Sequence, residues 1–171
     1  QLILLIKESC GIRRIARILN ISPITVIRRI KKIASKLERP YPILKGKIYE
    51  VDELFTYIGN KNNRICIVYS YEPKTRYILD ISVGTRCKRT LRKVTETLVL
   101  SEAKTVYTDG LDLYKQLIPE NIHKKHKRCT NHIESQNLTL RTHLKRLNRR
   151  TICYSKSLIM LLAVVKIYFW G

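Results

Sequence analysis

Three acidic residues stand in local settings that suit phosphodiester chemistry: Asp52 in Val51-Asp52-Glu53, Asp109 in Tyr107-Thr-Asp109-Gly110, and Glu134 in Asn131-His-Ile-Glu134. Cleavage assisted by two hard divalent ions needs carboxylate oxygens only a few ångströms apart. One ion activates the attacking water or hydroxyl and the other steadies the leaving oxygen. Carboxylates from three separate elements can flank and bridge such a pair. Zinc would call for histidine- or cysteine-rich ligation, and that pattern is missing. The five cysteines, at 10, 66, 87, 129 and 153, are scattered and never form a CxxC pair. They read as free thiols of a reducing compartment.

The elements that position these acids can be read from hydrophobic spacing. Residues 104–108 form a short strand that ends at Asp109-Gly110, and 24 residues separate Asp109 from Glu134. From Asn131 onward, Ile133, Leu140, Leu144 and Leu147 recur at helical spacing and make one apolar stripe. Glu134, Leu138, Arg141 and Lys145 form the neighbouring ridge. Arg141 and Lys145 then lie roughly 10 and 16 Å along the axis from Glu134, a stride that suits phosphates. Plainer roles compete: Asn131-x-x-Glu134 fits a capping box with Asn131 as N-cap, and Asp-Gly is a common turn. His132 is a candidate contact to the scissile phosphate. His123, His126 and His143 are expected to meet solvent or phosphate.

Upstream, residues 47–58, 64–71 and 76–83 are rich in Ile, Val, Tyr and Phe, with turn residues at 59–63 and 72–75, so they read as consecutive antiparallel strands. A helix over 88–101, the strand 104–108, a short helix over 111–117 and an irregular strand over 123–129 follow. This order is that of an α/β, ribonuclease-H-like mixed sheet with flanking helices. The first strand then lies beside the fourth, so Asp52, Asp109 and Glu134 converge. By alternation Glu50 shares the face of Asp52 and Glu53 takes the opposite one. Asp80 and Asp112 read as ordinary strand-end and helix-start acids. Residues 155–170 are nearly all apolar and read as a core helix covering the sheet, with a dimer contact as the alternative.

The chain's 171 residues carry 34 Lys and Arg against 13 Asp and Glu, a formal net charge of +21. Such an excess destabilises a compact state unless a polyanion offsets it, so nucleic acid is the expected partner. No apolar run approaches the roughly 20 residues that span a bilayer, and no secretory signal is visible. Residues 1–40 hold ten Lys and Arg against two Glu. Ile12, Ile15, Ala16 and Leu19 mark one short helix. Ser22-Pro23 then supplies an N-cap and first-turn proline for a second, whose apolar residues are Val26, Ile30, Ile33 and Leu37. Thr25, Arg28, Arg29 and Lys32 face away from them. This is an all-α helix-turn-helix, whose second helix would read DNA. Arg39-Pro40-Tyr41-Pro42 stops it, so residues 1–40 form the helix-turn-helix module and 41–171 the catalytic domain.

The stretches Val51-Asp52-Glu53-Leu-Phe-Thr-Tyr-Ile-Gly59, Tyr107-Thr-Asp109-Gly110 and Ile133-Glu134-x-x-Asn137-Leu-x-Leu-Arg141 resemble the insertion-sequence-1 transposases. The tail over 144–155 resembles the same family's close, and the likeness covers roughly residues 48–170. It implies a DDE transposase with Asp52, Asp109 and Glu134 as metal-binding triad. It further implies Mg²⁺ (Mn²⁺ could substitute), cleavage at the element's terminal inverted repeats, and transfer of the freed 3′-hydroxyls into target DNA. Arg141 and Lys145 would hold phosphates, and a homodimer or larger assembly would act on cytoplasmic, nucleoid-associated DNA. Members usually carry a four-cysteine zinc element before the helix-turn-helix. Its absence here, with no initiating methionine, suggests an N-terminally truncated copy. Two other readings compete: a non-enzymatic helix-turn-helix protein or inactive transposase fragment, and a ribonuclease-H-like structure-specific nuclease.

Overall fold

The computed structural model describes residues 1–39, 45–125, 130–148, 150–151 and 153–171. Pro40, Tyr41 and Pro42 of the expected linker, residues 126–129 of the expected fifth strand, His126 and Cys129 lie outside them. The chain packs as two compact units, each drawn from separated stretches. Residues 1–38, 56–63 and 139–171 make the first, and residues 39–55 and 64–138 the second.

The second unit is built on a five-stranded sheet of order β3-β2-β1-β4-β5. Its strands are β1 (Ile48–Tyr57), β2 (Arg64–Glu72), β3 (Tyr77–Gly84), β4 (Thr105–Thr108) and β5 (His123–Lys125). β2 and β3 pair antiparallel, whereas β1, β4 and β5 run parallel. This mixed sheet is the ribonuclease-H-like arrangement expected from the element order. Tyr49, Val51, Cys66, Val68 and Leu79 bury one face of it with Leu91, Val94 and Leu98 of α4 (Lys88–Leu100) and Tyr114 of α5 (Asp112–Lys115). On the other face, Tyr69 of β2 donates its hydroxyl to Asn137 Oδ1 of α6 (Asn131–His143) at 2.8 Å.

α6 is shorter than its sequence pattern predicts. The apolar spacing carries it to Leu147, but the helix ends at His143 and Leu144 is extended, with φ −113° and ψ 94°. Residues Lys145–Leu147 then make one 3₁₀ turn. Leu144 and Leu147 stay buried, so the same spacing serves a tighter turn as well as a further helical one. Arg141 Nη1 donates to the Leu147 carbonyl at 2.7 Å and closes that turn. Lys145 therefore leaves the ridge that begins at Glu134.

The first unit contains α1 (Leu2–Lys7), α2 (Ile12–Ile18), α3 (Pro23–Lys36) and α7 (Leu158–Trp170). The two expected helices and the cap between them are formed. Asn20 turns the chain at φ 49°, and Ser22 accepts the Thr25 amide at 3.1 Å with proline in the first turn of α3. The additional α1 was not foreseen. α7 packs on α3 and α1 within the first unit, where a place over the sheet was expected. The cause lies in what needs cover. Val26, Ile30 and Ala34 of α3 form a buried stripe, and α7 is apolar on every side. Lys166 of α7 also donates to the Ala34 and Leu37 carbonyls at 3.2 and 2.6 Å, satisfying the orphan end of α3. Among the described residues no helix is long and apolar enough to cross a membrane.

Candidate metal centre and nucleic-acid interface

Strand register makes the site. β1 and β4 are parallel neighbours with Val51 opposite Thr108, so the next residues, Asp52 and Asp109, lie together just beyond the last β4 pairing. Glu53 joins them: one carboxylate oxygen from each of Asp52, Glu53 and Asp109 lies within 4.8 Å of the others. Alternation does send Glu53 to the opposite face from Asp52, yet its carboxylate reaches the cluster because β4 has already ended. There it accepts the Tyr114 hydroxyl at 2.6 Å and pairs with Arg86 at 3.1 Å. Arg86 also lies 3.8 Å from Asp109, so one guanidinium straddles two acids.

Asp52 is positioned from two sides. Its Oδ1 accepts the Glu53 amide and its Oδ2 accepts Asn137 Nδ2, each at 2.7 Å. Asn137 is fixed in turn by Tyr69, so a Tyr69–Asn137–Asp52 chain ties α6 to β1. Burial raises the Asp52 pKa above the ordinary carboxylate value, and the charges of Asp109 and Glu134 add to it. Burial likewise raises Glu53, against the Tyr114 hydrogen bond and the Arg86 charge. Acids crowded this way gain most from a cation that neutralises them together.

Glu134 stands on α6, one helical turn before Asn137, and its charge is felt at Asp52. Its carboxylate is outside the 4.8 Å cluster, however, and accepts the Thr130 hydroxyl at 3.2 Å. The capping is thus shifted by one residue: the Glu134 amide bonds the Thr130 carbonyl at 3.0 Å, which makes Thr130 the cap in place of Asn131. The start of α6 is held by Glu50, which is 2% exposed. Glu50 accepts the Ile133 amide at 2.8 Å and meets His132 Nδ1 at 2.6 Å.

His123 and His143 also have protein partners where solvent or phosphate was expected. His123 bonds Thr108 Oγ1 at 2.8 Å with burial lowering its pKa, and His143 bonds the Tyr168 hydroxyl at 2.6 Å. Asp80 pairs with Arg39, and Asp112 with Lys115 in the first turn of α5. In the first unit, Arg28, Arg29 and Lys32 are exposed on α3. The Thr25 hydroxyl shares a 2.8 Å bond with that of Ser22 and belongs to the cap. Arg141 is half-buried in its own turn and Lys145 is exposed. This unit has 17 Lys and Arg against only Glu8 and Glu38, so it carries most of the chain's net positive charge of +21.

Sequence reasoning missed Glu53, Asn137, Arg86 and the anchoring role of Glu50. Asn137 had a local signal, since it lies three residues after Glu134 on the same helical face. Arg86 had none. Among the described residues the donor set fits a hard divalent cation, being all carboxylate oxygen with neither thiol nor imidazole in the cluster.

The sequence model for IS1 transposase matches residues 47–169. Among curated proteins, the insertion element iso-IS1n protein InsB of Shigella dysenteriae is 36% identical over 110 residues, covering 64% of this chain and 84% of that protein. The insertion element IS1 protein InsB of Shigella flexneri is 35% identical over 108 residues, covering 63% and 82%. Among solved structures, a chain of the simian T-cell lymphotropic virus intasome in complex with PP2A regulatory subunit B56 gamma matches at 14% identity with a TM-score of 0.44. That match covers 99% of this chain and 65% of the other.

Proposed function

This chain belongs to the IS1 transposase family, and we propose that it cuts DNA at the ends of an insertion element and joins the freed 3′-hydroxyls to target DNA. On this reading Asp52, Asp109 and Glu134 hold two divalent ions, Mg²⁺ or in its place Mn²⁺. The observation that carries it is the parallel register setting Asp52 beside Asp109, with α6 bonded to Asp52 through Asn137. When bound, such ions neutralise charge at the phosphate and lower the pKa of the attacking oxygen.

The chain's own residues supply the rest. Asn137 and the Glu53 amide fix the orientation of Asp52, leaving its remaining lone pairs for a cation. Glu50 pins the first turn of α6, which carries Glu134. Glu134 is exposed and its bond to Thr130 is a single hydroxyl contact, so on this reading a side-chain rotation would turn it toward the cation. Arg86 offsets the charge of Glu53 and Asp109. The excess charge of the first unit supports it as the main DNA-holding part, with Thr25, Arg28, Arg29 and Lys32 on α3 facing the terminal repeats. His132, Arg141 and Lys145 would meet DNA phosphates. Bringing two element ends together calls for a homodimer or larger assembly, working on nucleoid DNA in the cytoplasm.

The test is a Mg²⁺-dependent nicking and strand-transfer assay on DNA carrying the sequences that flank this coding region. Wild type should cut, while Asp109→Ala and Glu134→Ala should bind the same DNA without cutting. A non-enzymatic DNA-binding protein would give equal binding and no cutting in all three. A structure-specific nuclease would cut branched DNA regardless of the flanking sequence.

A further inference from the structure

The first unit holds a cavity of about 750 Å³ that the metal-centre reading leaves unused. Buried Ile6, Leu144 and Met160 line it, and Tyr154 stands on its wall. Arg13, Arg14, Lys145 and Lys156 are exposed lining residues, and among the described residues no carboxylate lines it. Arg146 also lines it, half-buried, with its guanidinium bonded to Ser155 Oγ at 3.0 Å. Among the described residues no carboxylate forms an ion pair with Arg146, and burial holds its pKa below the usual guanidinium value. A partly buried cation without a counter-charge is costly, and the acids of this unit number only Glu8 and Glu38. An anion from outside would relieve it.

The apolar lining narrows the choice of anion. A free phosphate would leave the partly exposed Ile12, Ile27 and Tyr154 of the lining uncovered, whereas a nucleotide brings a planar apolar face together with its charge. A duplex presents its bases only as groove edges and cannot lay one on this lining. We propose that the cavity takes an unpaired nucleotide of a DNA strand, its base against Ile12, Ile27 and Tyr154 and its phosphate on Arg146 and the exposed cations. This rests on the DNA-handling role proposed above and adds to it a site for strand that is not base-paired.

Cys10 and Cys153 line the same cavity, which makes its occupancy measurable. The full chain is treated with a maleimide, and each cysteine is followed by mass spectrometry. The added probe is a short oligothymidylate or a blunt duplex, each at about ten times its own dissociation constant. Oligothymidylate should slow modification of both thiols about tenfold, and the duplex should not. Arg146→Gln and the exposed-site variant Lys156→Glu should weaken oligothymidylate binding about tenfold while duplex affinity falls far less. The inference is overturned if the duplex protects the thiols equally. It is also overturned if bound oligothymidylate leaves them reactive, or if both variants lose the two DNAs in parallel. A chain that binds neither DNA would refute the DNA reading itself, and this site with it.

Discussion

Replacing Glu50 tests how α6 is held over the metal centre. Glu50 is buried, and its two oxygens take the Ile133 amide and His132 Nδ1. It therefore acts as a helix cap supplied from the sheet, with the positive end of the helix dipole favouring its charge. In Glu50→Ala the Ile133 amide, in a fully buried residue, loses its partner, which costs about 1–3 kcal/mol, and a charged hydrogen bond disappears with it. The His132 side chain is 65% exposed and returns to water, so its share is small. The expected loss is about 3 kcal/mol, or roughly 6–12 °C in melting temperature for a chain of this size. Glu50→Gln keeps an acceptor for Ile133 and should lose about 1 kcal/mol. His132→Ala should lose under about 0.5 kcal/mol. Denaturant melts with a shared m-value measure all three, and Mn²⁺ titrations should show Glu50→Ala binding most weakly as Glu134 and Asn137 shift. If Glu50→Ala melts within about 0.5 kcal/mol of wild type, the anchoring argument is refuted.

Other parts of the site yield separate expectations. Arg86 competes with a cation for Glu53 and Asp109, so Arg86→Gln should bind Mn²⁺ about three- to tenfold more tightly by calorimetry; weaker binding would mean that Arg86 supports the site. Burial raises the Asp52 pKa, so the folded chain holds a proton that the unfolded chain releases. In metal-free buffer, wild type should accordingly lose stability relative to Asp52→Asn as pH rises through the ordinary carboxylate range and above, and the gap should level off once Asp52 is ionised. Added Mn²⁺ should reverse that trend, because it binds the deprotonated acids; melts across the pH range with and without the ion decide both points. Hydrogen bonds to Thr90 and Thr85 hold the Cys87 thiol down at about 7, whereas burial and then the Glu53 charge push Cys66 up to about 11. In the folded chain Cys87 should thus alkylate readily near neutral pH and Cys66 should not, as peptide mapping would show.

The sheet was legible because its strands are β-rich runs separated by turn residues, and the start of α3 because Ser22-Pro23 marks a cap. The pairing of Asp52 with Asp109 followed from topology: a first strand parallel to a fourth puts the residues after both pairings side by side. What escaped depended on where elements stop. Glu53 reaches the acids only because β4 ends at Thr108, which alternation along β1 cannot reveal. The 3₁₀ turn after α6 uses the same apolar spacing as a helix, so Lys145 looked collinear with Glu134. α7 is apolar all round and carries no stripe to name its partner, and only the uncovered face of α3 decides it. Glu50 read as one strand acid among several because its role depends on a contact 83 residues away.

The central claim is that Asp52, Asp109 and Glu134 together hold divalent ions. A crystal grown with Mn²⁺ and examined for anomalous scattering tests it most directly. The account predicts density between Asp52 and Asp109, with Glu134 turned from Thr130 to join them, and no such density in Asp109→Asn. Mn²⁺ held by Asp52, Glu53 and Asp109 while Glu134 stays on Thr130, or no ion there at all, would contradict it.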